Sequence, residues 1–420
     1  MKVFVLGLDG FPYSFLSSEY IAKVMPLFSG ICKKYIAKKI NSVYPVVSSV
    51  AWTSFATGVN PGEHNIYGFT DRHFNPFEIT IVSSADRGKV PIWNTLATTK
   101  KKIVINVPIT YPPEPINGYM VSCFLCANIN KSTYPKEFSS YLKEKKYIID
   151  VDSWMIKSNS IMFLKELIEA SKKRFEVAHD LLDEDWDYFQ LNIMETDRLL
   201  HFFIDYVLDP QYDQTSMLID EFFRLLDEQI STIIDYIISS SAIIILSDHG
   251  FCEIKEEVQL NKWLMENNYL KISDNMKLND YHPQTICYAL TPGRIYFNLK
   301  GREEKGTVSV EYLKLRKEIK EKLENWIHPV SGEKIIDNVF FSEEIYAGAH
   351  LHNAPDIIVH PRNGYDLKSD VCSKELFTRS HLKGMHTYND AILLGINIDI
   401  SKVHNITEMH DIIKDYIENV

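Results

Sequence analysis

Short runs of apolar residues, rich in valine and isoleucine and bounded by turn residues, occur at intervals along the chain. Such runs are typical of strands that are buried on both faces of a parallel sheet. They comprise residues 3–8 (VFVLGL), 102–107 (KIVINV), 188–193 (YFQLNI), 242–247 (AIIILS), 356–360 (DIIVH) and 391–396 (AILLGI). The pattern therefore predicts a sheet of at least six buried strands.

Amphipathic helical patterns lie between these runs. Apolar residues repeat at steps of three and four in residues 219–237, and again in residues 312–326, where Lys and Glu occupy the opposite face. Strands that alternate with helices predict an α/β fold, in which a mostly parallel central sheet is flanked by helices on both faces.

Residues 253–355 interrupt this alternation. They contain a strand and a charged glycine turn, RIYFNLKGREEKGTV, followed by the long charged helix. We therefore predict a catalytic α/β core formed by residues 1–252 and 356–420. Residues 253–355 are predicted to be an inserted cap subdomain that selects the substrate.

The composition and charge limit the classes of protein to which the chain can belong. The chain has 420 residues, of which 45% are hydrophobic and 24% charged, as is usual for a globular protein with a substantial core. A net charge of −11 argues against binding to a nucleic-acid polymer. The N-terminal apolar run is too short for a secretory signal, and no run approaches the roughly 18 residues that span a bilayer. We therefore expect a cytoplasmic protein without a membrane partner.

The six cysteines include one C-x-x-C pair, Cys123 and Cys126. A second pair, or a histidine at the spacing of a zinc ribbon, is missing from the sequence. This favours two small side chains packed near the end of a strand over a metal or redox site.

Polar residues follow two of the predicted strands, and functional groups in an open α/β sheet collect at the carboxyl ends of strands. Asp9 follows the first strand, although an Asp-Gly at such a place is more often a turn or a helix cap. Asp248 and His249 follow the strand at 242–247. A buried Asp-His pair needs partners for both groups, so a ligand role is as plausible there as a structural one.

Three further residues are candidate metal ligands. Asp197 and His201 lie four positions apart on a predicted helix, where they face the same way and form either an ion pair or two ligands of one ion. His386 precedes the last strand, in a predicted loop. With Asp9, Asp248 and His249 these residues supply three carboxylates and three imidazoles. That set suits two zinc-like ions, which together can stabilise the attacking and leaving oxygens of a phosphoryl transfer.

The same motifs resemble those of the alkaline phosphatase superfamily, and most closely its type I phosphodiesterase/nucleotide pyrophosphatase branch. They are LGLDGF, YPVVSSVAWTSFATGVNPGEHNIYGF, ETDRLLH, LSDHGF and GMH, which follow the family's order over nearly the whole chain. The resemblance implies two metal ions with distinct ligand sets. One set maps onto Asp9, Ser48, Asp248 and His249, and the other onto Asp197, His201 and His386.

The resemblance also implies a nucleophile. Ser48 stands at the family's distance after a Tyr-Pro pair and before a Thr-Gly pair. A serine hydroxyl is a poor nucleophile at its own pKa, and metal coordination can deprotonate it. Its neighbour Ser49 is then predicted to cap a helix that begins near Val50.

Two positions depart from the family. Phe69 stands where nucleotide pyrophosphatases carry an asparagine that helps to hold a non-bridging phosphoryl oxygen, and the family's His-Gly is His64-Asn65. Both departures leave the preference for nucleotides and for diesters open.

From these features we expect a hydrolase that uses two divalent ions, zinc or else manganese. Its substrate is expected to be a small, possibly nucleotide-like, phosphorylated molecule. A phosphodiester or pyrophosphate bond would be cleaved through a phosphoserine-type intermediate. The alternatives are a phosphomonoesterase or phosphotransferase of the same superfamily, and a non-catalytic binding protein that retains the fold. The sequence does not specify an oligomeric state.

Overall fold

The computed structural model describes residues 1–273 and 276–418. The strands, in chain order, are β1 (Lys2–Leu8), β2 (Lys38–Ile40), β3 (Thr70–Phe74), β4 (Phe77–Ile81), β5 (Lys102–Ile105), β6 (Gly118–Val121), β7 (Thr133–Tyr134), β8 (Tyr188–Ile193), β9 (Ser241–Leu246), β10 (Gly250–Glu253), β11 (Glu256–Gln259), β12 (Cys287–Leu290), β13 (Arg294–Phe297), β14 (Ile336–Phe341), β15 (Ile357–Pro361), β16 (Tyr365–Lys368), β17 (Phe377–Thr378), β18 (Gly384–Thr387) and β19 (Ala391–Ile396).

The α-helices are α1 (Glu19–Val24), α2 (Pro26–Lys34), α3 (Ser48–Thr57), α4 (Pro61–His64), α5 (Ile92–Thr95), α6 (Phe138–Glu144), α7 (Ser160–Leu182), α8 (Glu195–Leu208), α9 (Gln214–Ile237), α10 (Leu260–Glu266), α11 (Tyr312–Glu324), α12 (Ser342–Ile345) and α13 (Met409–Glu418). Within the described ranges, no helix has an apolar stretch long enough to cross a bilayer.

An eight-stranded sheet forms the centre of the molecule, in the order β2-β19-β9-β1-β8-β5-β6-β7. β1 runs parallel to both of its neighbours, β8 and β9, and β5 runs parallel to β8 and β6. Among the described strands of this sheet, β19 and β7 alone run antiparallel to the rest. The predicted mostly parallel α/β fold is therefore confirmed.

Helices cover both faces of this sheet, because the side chains of a strand point alternately to its two faces. On β1, Phe4 and Leu6 belong to a core shared with α7 and α9. Val3 and Val5 point the other way, into a core shared with α3 and α13. The site-bearing helix α3 is thus fixed against one face of the sheet by apolar packing.

A second sheet, built largely from the predicted insertion, lies outside the central one. β12, β13 and β14 join β15 in a four-stranded sheet whose core includes side chains of α10 and α11. The prediction that residues 356–360 form a strand of the central sheet is wrong, because β15 pairs antiparallel with β13 and β14. A short apolar run has the same pattern in either sheet. Since the second sheet runs beyond residue 355, the boundaries of the subdomain stay a proposal.

Candidate active site

Three of the predicted ligand residues come from neighbouring strands of the central sheet. Asp9 directly follows β1, and Asp248 and His249 follow β9, which pairs with β1. All three residues are fully buried. The carboxyl ends of parallel neighbours meet at one edge of a sheet, which brings these side chains together. Gly10 joins the two strand ends by donating its N–H to Oδ1 of Asp248 (3.0 Å).

The remaining predicted ligands come from a helix and from a two-stranded ribbon. α8 begins just after β8, on the other side of β1, and carries Asp197 and His201 one turn apart. The prediction of a loop at His386 is wrong, because His386 lies in β18 and pairs with Phe251 of β10. The ribbon of β10 and β18 starts directly after His249 and folds His386 back onto it, with 3.7 Å between the ring centroids.

Ser48 is the first residue of α3. The helix therefore begins two residues earlier than the predicted start near Val50. Oγ of Ser48 lies 3.1 Å from Oδ1 of Asp9 and 3.2 Å from Nε2 of His249. Ser49 is the second residue of the helix, and its buried Oγ has no hydrogen-bond partner among the described residues. The prediction of Ser49 as the helix cap is wrong. The extended backbone of Val47 starts the helix without a side-chain acceptor.

The three histidines share one hydrogen-bond arrangement, in which Nδ1 faces a backbone carbonyl. The carbonyl belongs to Gly384 for His201 (2.9 Å), to Gly250 for His249 (3.2 Å) and to Val46 for His386 (3.1 Å). Because a carbonyl only accepts, Nδ1 carries the proton and Nε2 presents a lone pair. Histidines that bind metal ions are held in this way.

All three Nε2 atoms point into the group of carboxylates. Nε2 of His386 lies 3.2 Å from Oδ1 of Asp197 and 3.1 Å from Nε2 of His201. Nε2 of His249 lies 3.2 Å from Oδ2 of Asp248, a buried oxygen with no hydrogen-bond partner among the described residues. Two lone pairs 3.1 Å apart repel unless a proton or a cation lies between them. Such nitrogen and oxygen donors fit divalent transition-metal ions.

The donor atoms form two overlapping groups. Within each group the atoms lie no more than 4.8 Å apart, and the groups are Asp9, Asp248 and His249, and Asp197, His249 and His386. His201 adjoins the second group through its contacts with Asp197 (3.4 Å) and His386. The structure thus brings all six predicted ligand residues together in one site, where His249 belongs to both groups and Ser48 contacts Asp9 and His249.

The carboxylates are in an environment that disfavours their charge. Burial raises the pKa of Asp9 well above its usual value, and the charges of Asp248 and Asp197 raise it further. Burial also raises the pKa of Asp248, to about 7. Burial opposes the ionisation of Asp197 as well, but His201 and His386 outweigh it and hold its pKa below the usual range. Crowded buried carboxylates of this kind are stabilised by a nearby cation.

Burial favours the neutral form of two of the imidazoles. Burial lowers the pKa of His201 to about 4, and burial lowers that of His249 well below its usual value. Burial acts in the same direction on His386, but the Asp197 carboxylate outweighs it and raises the pKa of that imidazole. Neutral imidazole is the form that binds a metal ion, so the site is prepared for one.

Residues 3–389 match the family model for type I phosphodiesterase / nucleotide pyrophosphatase. The chain belongs to this family. It is therefore a hydrolase of the alkaline phosphatase superfamily, as its motifs predicted, and the family is metal-dependent. No curated protein matches the sequence.

Solved structures share the fold of this phosphodiesterase-family chain. Phosphonoacetate hydrolase from Sinorhizobium meliloti 1021, in complex with phosphonoformate, is 14% identical with a TM-score of 0.63, covering 98% of this chain and 95% of that chain. Murine ectonucleotide pyrophosphatase / phosphodiesterase 5 is 14% identical with a TM-score of 0.57, covering 99% and 95%. An inactive variant of the murine protein was solved in complex with AMP. At this identity the likeness establishes the alkaline-phosphatase-like fold alone.

Two polar residues that the sequence analysis did not single out hold the first aspartate in place. Nε1 of Trp52 donates to Oδ2 of Asp9 (2.7 Å), and Oγ1 of Thr196 donates to its backbone carbonyl (2.6 Å). Trp52 stands one helical turn after Ser48, so its spacing on α3 is a signal that could have identified it. Thr196 directly precedes Asp197, but nothing in the sequence indicates its bond to Asp9.

Cys123 and Cys126 are both free thiols and both buried. Burial raises the pKa of each thiol, which disfavours the reactive thiolate. The surroundings thus support the packing role that the sequence favoured.

A cavity of about 130 Å³ adjoins the second group of candidate ligands. His201 and His386 line one side of it, and Val46, Ile358 and Lys368 line others. Ile358 lies on β15, so the cavity lies between the candidate ligands and the second sheet. A cavity of this size has room for a group about as large as a six-membered ring.

Proposed function

We propose that this protein hydrolyses a phosphoester or pyrophosphate bond of a small substrate, with Ser48 as the nucleophile and two divalent ions as cofactors. One observation carries the proposal. Three imidazoles, each fixed through Nδ1 by a backbone carbonyl, direct Nε2 toward buried carboxylates beside Oγ of Ser48. A structural histidine cluster has no need of such a shared orientation.

The chain's residues would hold two ions with separate ligand sets. Asp9, Ser48, Asp248 and His249 would bind one, and Asp197, His201 and His386 the other. Zinc suits this set of nitrogen and oxygen ligands, and manganese is the alternative. When bound, the ions supply Lewis-acid chemistry, which lowers the pKa of a coordinated hydroxyl and stabilises charge on phosphoryl oxygens.

Ser48 then attacks phosphorus, and the bond between Oγ and phosphorus forms while the bond to the leaving oxygen breaks. The Ser48 hydroxyl donates to Oδ1 of Asp9, so this carboxylate is placed to accept the proton and pass it to water. The leaving oxygen takes a proton from water and departs as the first product. Trp52 keeps Asp9 in place by donating to its other oxygen. Because α3 begins at Ser48, the positive end of the helix dipole faces the phosphoryl group. Water then cleaves the phosphoserine, which restores the hydroxyl and releases the phosphorylated product.

Metal content tests the ligand assignment. In His386→Ala the loss of one imidazole is expected to lower the metal bound per chain, as measured by elemental analysis. His381→Ala is the control, because His381 is exposed and belongs to neither group of donors. Full metal content in His386→Ala, or a loss confined to His381→Ala, would contradict the assignment.

Turnover separates this function from that of a binding protein that retains the fold. The metal-loaded protein is expected to hydrolyse 4-nitrophenyl phosphate, bis(4-nitrophenyl) phosphate or both. A fully loaded protein that releases nitrophenol from neither compound would leave the binding protein as the better account.

A further inference from the structure

Arg198 follows Asp197 on α8, and its guanidinium lies beside the candidate metal site. Nη1 is 4.0 Å from Oδ2 of Asp197. The charge of Asp9, the hydrogen-bond partner of Ser48, also acts on this guanidinium. The cation therefore lies beside one candidate ligand, Asp197, and within electrostatic reach of Asp9, to which Ser48 is hydrogen-bonded.

Asp150 orients the guanidinium from one edge. Nε of Arg198 donates to Oδ1 of Asp150 (3.4 Å), and Nη2 donates to Oδ2 (2.9 Å). These bonds use two of the five N–H groups of the side chain. Among the described residues no acceptor lies within hydrogen-bond distance of Nη1. The edge formed by Nη1 and Nη2 thus keeps three N–H groups, and the side chain is 21% exposed.

Arg174, on α7, shows the arrangement of an arginine that serves only structure. It is fully buried, and its donors are taken by Glu195, by the hydroxyl of Tyr147 and by the carbonyl of Ile149. Every nitrogen of that guanidinium has an acceptor. Arg198 differs because its Nη1 makes no hydrogen bond to the described residues and has only the Asp197 carboxylate nearby, at 4.0 Å.

An aromatic pair supports Arg198 from one face. Its guanidinium lies 4.9 Å from the ring centroid of Phe124, and that ring packs edge-on against Phe69 at 5.3 Å. Phe69 is the position at which the sequence departs from its family, where an asparagine helps to hold a phosphoryl oxygen. In this chain the ring of Phe69 replaces the amide. It packs against Phe124, whose ring faces the guanidinium of Arg198.

The free edge sets a requirement on the substrate. A guanidinium edge binds two oxygens of one phosphoryl group through parallel N–H bonds. When Ser48 attacks in line with the leaving oxygen, the three remaining substituents on phosphorus lie around the attack axis. If one oxygen contacts the cations that the carboxylates and imidazoles would hold, two must remain for the arginine. A terminal phosphoryl or phosphonyl group has two such free oxygens, whereas a diester has only one.

We propose that the free edge of Arg198 binds two non-bridging oxygens of the substrate and makes the enzyme selective for a terminal phosphoryl or phosphonyl group over an internal diester. This inference rests on the proposed function. Arg198 is then a residue that contacts the substrate, and Asp150 and Phe124 are positioning residues that act through it.

The test compares 4-nitrophenyl phosphate with bis(4-nitrophenyl) phosphate in wild type, Arg198→Met and Arg198→Lys. In Arg198→Met, kcat/KM for the monoester is expected to fall at least about 100-fold, the scale of a lost transition-state donor. The diester is expected to change less than about fivefold. Arg198→Lys should recover part of the loss, since an ammonium supplies charge without the fork. Arg224→Met, on the exposed side of α9, is the control and should match wild type.

The ratio of the two kcat/KM values decides the matter, because both are measured on one preparation and any loss of folded or metal-loaded enzyme cancels. A ratio in Arg198→Met within about threefold of wild type, or a wild type that favours the diester, would overturn the inference. Calorimetry of orthophosphate binding adds a measurement that does not depend on turnover. The dissociation constant is expected to be at least about tenfold higher in Arg198→Met than in wild type. An unchanged dissociation constant would count against the inference. If wild type hydrolyses neither ester, the proposed function itself fails.

Discussion

At the scale of single residues, two adjacent serines have different surroundings. Oγ of Ser48 contacts Asp9 and His249, whereas Oγ of Ser49 is buried without a partner. Ser48→Ala is expected to lower kcat by several orders of magnitude, as for catalytic groups that act as a unit. Ser49→Ala loses no hydrogen bond, so the free energy of unfolding should change by less than about 1 kcal/mol and kcat should stay near wild type. Stopped-flow turnover and urea unfolding check both variants, and a large loss of kcat in Ser49→Ala would contradict the assignment.

His64 is expected to make the stability of the protein depend on pH. Its Nδ1 accepts a bond from the N–H of Ile66, and its Nε2 lies 2.9 Å from Oγ of Ser54. Burial lowers the pKa of His64 to about 3. The unfolded chain therefore binds a proton first, and stability is lost as the pH falls below about 6.5, by up to about 1.4 kcal/mol per pH unit. Above that pH the group contributes no dependence.

The variant His64→Gln isolates this effect. Urea unfolding of wild type and variant at pH 7, 6 and 5 should give a shallower loss of stability in the variant below pH 6.5. Both proteins keep the same candidate metal ligands, so acid release of metal affects both curves and leaves their difference to His64. Equal slopes would mean that His64 is not neutral in the folded protein.

At the scale of elements, the junction between β1 and β9 depends on Gly10. Its φ is +68°, and a Cβ there would lie 2.4 Å from a ring carbon of Phe251. Gly10→Ala is expected to lower the free energy of unfolding by at least about 1 kcal/mol and to reduce metal content, because the Gly10 N–H that holds Asp248 must shift. Gly30→Ala is the control, since Gly30 lies within α2 with open space around its Cβ position. That change should raise stability by about 0.5–1 kcal/mol. A Gly10→Ala protein with normal stability and metal content would contradict this view of the junction.

The sequence predicted the elements whose pattern is local. Buried runs identified β1, β5, β8, β9 and β19, because valine- and isoleucine-rich strands between turns have few alternatives. The start of α3 was missed by two residues, because Val47 begins the helix through its backbone and leaves no side-chain signal. The membership of β15 in a second sheet depends on long-range pairing, which a short apolar run does not encode.

In the candidate site, too, the sequence predicted the features that have a local pattern and missed those that depend on long-range contacts. The sequence correctly placed Asp9, Asp248 and His249 at one edge, because parallel strands bring their carboxyl ends together there. The shared orientation of the imidazoles could not be predicted, because it depends on carbonyls far away in the sequence. The carbonyl that faces His386, for example, belongs to Val46. Arg198 was missed because its free edge becomes evident only when its bonds to Asp150 are known.

At the scale of the whole molecule, the proposed site is expected to couple metal binding to stability. Three carboxylates meet in a buried space, and without cations they repel one another and lack solvation. Removal of metal by a chelator is expected to abolish turnover and lower the melting temperature. Metal at 1,000 times its dissociation constant contributes about 4 kcal/mol by linkage. Calorimetry before and after reconstitution with zinc measures this effect, and a metal-free protein of equal melting temperature and full activity would exclude a two-metal site.

The central claim is that Ser48 carries the phosphoryl group between the two halves of the reaction. It is tested most directly by quenching the metal-loaded enzyme with acid during turnover of 4-nitrophenyl phosphate and locating the added phosphate by peptide mass spectrometry. The account predicts a phosphate ester on Ser48 that appears and decays as fast as the enzyme turns over. Phosphate on Ser49, or turnover without any phosphorylated residue, would contradict it.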